Sequence, residues 1–480
     1  MKLIIGILFF SLMSSKAMAL SVEVKHSEAS SYLHFLFSGL KEPFTSRTMQ
    51  ELAEKVAGKA FRSKKLKIDV EVFQSFLRHG YNFDDEVQNR PEGFWAEDAF
   101  LILAVNSDSM EDFEKQLSIL MPYRGISAYY RVKKVIYPIF KKTVWDVSLK
   151  NHPQQIAETL KFMETSQFSD WLKKAKAFYG SEYPEEVSFK VGLIPIPDKG
   201  LKSGHTLATN LRDIQIVPYL ESRGLKRNLD VIFHEFCHAL YEGQSKDKMK
   251  EIDQFYLTST HSHALFVYRY LNEALATAWG NGWYREKLDG KLNPRSWYSV
   301  DYVDKLGRAF LPLIKKYVGD GRAMDKAFYR ETLNIAKKTF PNGPKEIGPQ
   351  FMAVQLLIDH KVGSSRPFKS VLKRNFRIQS WNAMAPIRDR DIEETKANPL
   401  KTAIVISSDW KNAESTISKL YQGNKILSKE SKDQEFWAIY PRDSGYLFWI
   451  NTQDKKSFEK LMRAFKKLKS LPNNPKLIKL

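Results

Sequence analysis

Apolar residues along this 480-residue chain change their spacing three times, and each change limits the layers the chain can build. From Ser30 to about Gly180 they recur every three or four residues, as in TMQELAEKVAGKAF (48–61), SMEDFEKQLSILM (109–121) and QQIAETLKFMETSQFSDWLKKAKAFYG (154–180). Positions so spaced share one helical face, so this stretch predicts packed amphipathic helices. The period then switches. VSFKVGLIPIP (187–197) and TLATNLRDIQIVPYL (206–220) carry alternating or β-branched residues bounded by Pro and Gly, which predicts two or more strands. Helical spacing returns at Asn228 and holds through PQFMAVQLLIDHKV (349–362). The polar, proline-flanked stretch 382–400 reads as a linker. Beyond it, TAIVIS, EFWAIYP and GYLFWIN surround a helix beginning near Trp410, RDSG (442–445) turns between the last two strands, and a final helix starts near Asp454. The expectation is an α+β chain: a helical N-terminal region over 20–180, a mostly helical core with a small β-sheet over 181–381, the linker, and a small α/β domain over 401–480.

The first 19 residues are set apart. MKLIIGILFFSLMSSKAMA has Lys2, an apolar run from Leu3 to Met13, and small residues at Ala17 and Ala19, the pattern of a cleaved secretory signal peptide. The run is too short to span a bilayer, and no stop-transfer segment follows it. The expected mature chain is exported, to a periplasmic or extracellular location. Its only cysteine is Cys237, and one thiol cannot staple a fold, so a large apolar core must hold the chain together. The formal charge is +20, and +18 once Lys2 and Lys16 leave with the leader. Such a field favours anionic envelope surfaces. No nucleic-acid partner is expected, because no reader motif accompanies the charge.

Chemistry concentrates in VIFHEFCHALYEG (231–243), where His234 and His238 are four residues apart and Glu235 follows the first. Asn228 is the expected N-cap of this helix and Gly243 its stop. Residues i and i+4 lie on one helical face, so both imidazoles can turn toward one ion, with Glu235 about 100° around the axis and close beside them. A catalytic zinc ion uses this spacing: neutral nitrogens hold it, and the carboxylate takes a proton from the attacking water. Positions 231–233, 236, 237, 239 and 240 are uncharged, as expected of a helix packed into a core.

With these residues the chain resembles the zincin metallopeptidases. Tyr241 and Gln244 stand where the metzincin branch carries a Gly and a third His, so the resemblance is to the gluzincin branch, over about residues 185–340. That branch takes its third ligand from a Glu on a later helix, often after an Asn, and YLNEALATAW supplies Asn272 and Glu273, 35 residues past His238. The resemblance implies a zincin-like metallopeptidase core, one zinc ion on His234, His238 and Glu273, and Glu235 as general base for hydrolysis of a peptide or protein substrate. Thr277 departs from the acidic residue the branch often carries four positions after the ligand Glu.

Other residues take quieter readings. Cys237 is expected to pack as a small hydrophobe, and His261 and His263 to make ordinary hydrogen bonds near a helix start. Tyr302 and Tyr329 are candidate donors to a developing oxyanion. TLATNLRDIQIVP reads as an edge strand able to hold an extended peptide, or as an ordinary buried one. The last helix, DKKSFEKLMRAFKKLK, carries an apolar stripe of Phe458, Leu461, Met462, Phe465 and Leu468, suited to its own sheet or to an anionic membrane. Two rival functions stay open: a basic cell-envelope binding protein, and a zinc hydrolase acting on a non-peptide substrate.

Overall fold

The computed structural model describes residues 21–480 apart from 43, 78–79, 82–93, 226–227, 363–365, 377, 379, 399, 422, 424–434, 443–444, 453, 469 and 480. The signal-peptide expectation at 1–19 therefore lies outside the described residues, as does the middle of the RDSG turn. The chain is α+β, and its described part forms two compact units, one of residues 21–81, 94–244 and 284–291, the other of 245–283 and 292–480.

In the first unit the strands are β1 (Val22–His26), β2 (Gly80–Tyr81), β3 (Phe94–Trp95), β4 (Phe189–Ile196), β5 (Thr209–Leu211) and β6 (Ile214–Leu220). Four of them form a sheet in the order β1-β4-β6-β5, parallel except for β5, while among the described residues β2 and β3 pair with each other. The helical stretch and the strands after it are one body, since Leu33, Leu36, Leu52, Phe73 and Phe113 share a core with Ile194, Ile196, Ile214 and Ile216 of the sheet. A boundary at 180/181 is thus corrected. Its cause is β1, a five-residue strand whose only buried apolar residue is Val24, too faint a pattern to mark the N-terminus as part of a sheet. The stretch 206–220 is also not one strand. It reverses at Arg212, whose φ of +63° suits the first position of a two-residue hairpin loop, and β5 becomes the edge.

Helix Glu28–Gly39 is buried from Ala29 to Ser38, so it forms the interior of this unit and takes His34 inside with it. Desolvation pushes the His34 imidazole down to about 4. His26 and His152 stack with centroids 3.9 Å apart. Desolvation first, then the charge His152 would carry, drives His26 to about 3, and desolvation takes His152 to about 4. All three fall below the unfolded value of about 6.5, so the unfolded chain takes up protons first on acidification. Stability is then full above pH 6.5 and lost as pH falls through 6.5 toward 4. At pH 5, His34 alone is expected to remove on the order of 2 kcal/mol, measurable as a fall in the denaturation midpoint between pH 7 and 5. An unchanged midpoint in wild type, or the same fall in His34→Leu, would contradict this.

In the second unit the helices Lys246–Leu257, Ala264–Thr277, Asp301–Gly319 and Lys326–Thr339 precede a six-stranded sheet. Its strands are β7 (Ala353–Ile358), β8 (Ser380–Met384), β9 (Thr402–Ser407), β10 (Phe436–Arg442), β11 (Gly445–Asn451) and β12 (Lys476–Lys479), in the order β12-β10-β11-β9-β7-β8. Successive residues face opposite ways. Leu356 and Phe448 join one core with helices Arg366–Asn375 and Lys455–Phe465, while Leu357 and Leu447 join another with helices Asp389–Ala397 and Trp410–Leu420. The sheet is covered on both sides.

Two expectations about this region are corrected. The domain boundary is not at 401, because β7 and β8 belong to the same sheet, and 382–400 is not a linker but the end of β8 followed by helix Asp389–Ala397. A strand buried on both faces reads as a continuous apolar run, which is why MAVQLLI passed for helix. The stripe on the last helix faces its own sheet, with Phe465 stacked on Trp437 at 4.2 Å, so it is not a membrane face. Deleting 401–480 would strip β9 from β7 and expose the buried Val354, Leu356 and Ile358, so that product is expected to be insoluble. A soluble, monomeric truncated protein by size exclusion would contradict the shared sheet. Among the described residues, no helix is long and apolar enough to cross a membrane.

Candidate metal centre

The motif helix runs Leu229–Glu242, and its apolar face decides how it sits. Phe233 stacks on Tyr284 at 4.5 Å, and Phe236 lies against Phe189 of β4 at 4.4 Å. Both anchors point away from the histidine side of the helix. Asn228 is the N-cap residue as expected, but its side chain makes no cap bond. At the other end Gly243 is not left-handed (φ −78°); its N–H bonds Ala239 O at 2.8 Å. A Cβ there would meet Ser181 Oγ at 2.9 Å and Ala239 O at 3.2 Å, so close approach is what requires glycine.

A third anchor, which no sequence pattern marks, is Gln215 on β6, which is fully buried. In the amide orientation that satisfies both ends, its oxygen accepts from Phe236 N at 2.8 Å and its nitrogen donates to Ile232 O at 3.2 Å. These two backbone groups bracket the turn that carries His234 and Glu235. A strand side chain thus grips the motif turn directly. Gln215→Leu is expected to cost about 1–3 kcal/mol by leaving buried polar groups poorly satisfied, read in a denaturant melt. A variant as stable as wild type would remove Gln215 from this role.

His234 is buried at 4 % exposure, and His238 and Glu235 are half-buried. The histidine Nε2 atoms lie 3.1 Å apart with the rings near perpendicular, so both nitrogens converge on one point. Two zinc–nitrogen bonds of 2.0–2.1 Å at a tetrahedral angle place their nitrogens about 3.3 Å apart. The pair fits one ion with almost no adjustment. Cys237 is wholly buried; desolvation pushes its thiol far up, and the adjacent Tyr179 hydroxyl offsets only part of that. A thiol so disfavoured as thiolate packs rather than reacts.

In the second unit, Glu273 sits on helix Ala264–Thr277 and is half-buried. Helix Asp301–Gly319 approaches this helix closely because Gly307 lacks a side chain; a Cβ there would meet Thr277 Cγ2 at 3.1 Å and Ala274 O at 3.2 Å. Thr277 is fully buried, and its hydroxyl makes no hydrogen bond among the described residues, so it supports no ligand. His263 is the N-cap residue of the Glu273 helix, with Nε2 2.8 Å from Phe340 O and Nδ1 3.0 Å from Ser262 Oγ. His261 Nδ1 accepts from His263 N at 3.2 Å. Tyr302 donates to Glu346, and Tyr329 donates to Glu251 at 3.1 Å, so both candidate oxyanion donors are engaged with carboxylates.

Within the first unit, the convergent Nε2 atoms of His234 and His238 are the pair that could hold a metal ion. No family model, no curated protein and no solved structure matches the chain.

Proposed function

We propose that the chain is an exported zinc metallopeptidase with a gluzincin-like core, in which His234, His238 and Glu273 hold one zinc ion and Glu235 is the general base. The observation that carries this reading is the pair of Nε2 atoms 3.1 Å apart on near-perpendicular rings of one helical turn, with Glu235 beside them. Two neutral imidazoles and one carboxylate form the donor set of zinc sites that keep a position open for chemistry. Zinc, when bound, supplies a Lewis acid that polarises the scissile carbonyl and acidifies water.

The chain supplies the rest. His234 and His238 bring their Nε2 atoms to 3.1 Å of each other from one turn, held by Phe236 and Gln215. Glu235, next along that turn and half-buried, accepts the proton of the attacking water and returns it to the leaving amine. The edge strand β5 offers unpaired backbone to an extended peptide. The test is a peptide-library digest by the purified mature chain, with and without a chelator. Cleavage that stops on chelation and returns with zinc is expected; cleavage indifferent to chelator, or none with zinc present, would overturn the reading.

A further inference from the structure

Arg269 stands one helical turn before Glu273, on the same helix. Its guanidinium is in an unusual place for a cation. Nη1 donates to Gln350 Oε1 at 3.0 Å and Nη2 to Leu400 O at 3.2 Å, while Nε is buried without a partner. Among the described residues no carboxylate pairs with it, and burial lowers its pKa to about 10. Gln350 is itself buried and donates to Pro344 O at 2.8 Å, which fixes the amide that receives Nη1.

The acceptors are not random surface groups. Gln350 lies just before β7 and Leu400 just before β9. The first residue of β11, Gly445, closes the third side: its φ is +124°, and a Cβ there would come within 3.3 Å of Gln350 Oε1 and 3.6 Å of Arg269 Nη2. Three neighbouring strands therefore begin around one guanidinium. A buried charge met only by neutral acceptors is costly to form, and it holds its geometry because displacing it leaves several polar groups unsatisfied.

We infer that Arg269 is a positioning residue that ties the Glu273 helix to the start of the C-terminal sheet and so fixes where the Glu273 carboxylate stands. This makes the α/β layer part of the metal-site scaffold rather than an appended module. It rests on the proposed role of Glu273, and the experiment separates the two. Arg269→Met, Arg269→Lys and Gln350→Ala are prepared in the full chain, and two quantities are measured: amide hydrogen exchange of the metal-free proteins, and zinc affinity by competition with a chromophoric chelator.

For Arg269→Met, exchange over 270–277 is expected to quicken about tenfold while 229–242 is unchanged, and zinc affinity to fall about 10–100-fold, the usual effect of losing support behind a ligand. Arg269→Lys should recover part of both. If Arg269→Met does not fold, Gln350→Ala, which keeps the Leu400 bond, carries the test with a smaller change in the same direction. Exchange and affinity equal to wild type, or quickening spread evenly over the chain, would overturn the inference. Should wild type itself take no zinc, the metallopeptidase reading falls, and exchange in the metal-free proteins still decides the role of Arg269.

Discussion

Glu235→Gln is expected to keep its zinc and lose turnover by several orders of magnitude. The substitution preserves shape and leaves His234, His238 and Glu273 in place, so affinity for the metal has little reason to change. What disappears is the carboxylate proposed to take the proton of the attacking water. A general base contributes about 10²–10⁴-fold on its own, and the same carboxylate also orients the water and balances charge as the carbonyl is attacked, so the loss exceeds that of base catalysis alone. Glu235 is half-buried on a turn fixed from behind by Phe236 and Gln215, which leaves little freedom for another group to take its place. Metal content and single-turnover rates on one peptide check this together. A Gln variant that cleaves near the wild-type rate would show that the base lies elsewhere.

Glu273→Ala is expected to lose zinc and activity in parallel, with affinity falling by more than the 10–100-fold that removal of an outer support costs. His261→Ala and His263→Ala are expected to keep both. The contrast follows from what the side chains of the second unit already do: His263 is occupied by Phe340 O and Ser262, and His261 accepts from the backbone of His263, whereas Glu273 is the proposed third ligand, on helix Ala264–Thr277. Titration with zinc, followed by chelator competition, ranks the three variants. Full occupancy in Glu273→Ala beside an empty site in either histidine variant would reverse the ligand assignment.

The parts of this molecule legible in its sequence are those written locally. The motif histidines declared themselves because one helical turn fixes their relation, and the helix around them because apolar residues repeat at the helical period. The strands β4 and β6 were visible through β-branched residues and flanking prolines. What escaped was written over long separations. β1 joins β4 across more than 160 residues with one buried valine, and the β5–β6 reversal at Arg212 uses neither Gly nor Asn. β7 has the apolar run common to buried strands and buried helices, and only its pairing with β9 tells them apart. Gln215, Gly307 and Arg269 carry no motif at all. Each matters through a partner on a distant segment: the motif turn, the Glu273 helix, and the starts of β7 and β9.

The central claim is that one metal ion sits on the motif helix, and zinc-to-protein stoichiometry tests it most directly. The purified full-length chain, exposed to zinc and then freed of loosely held ions, should carry one zinc per chain, and the His234→Ala/His238→Ala double variant, folded by circular dichroism, should carry none. A wild-type chain without zinc, or a double variant that keeps one, would contradict the account.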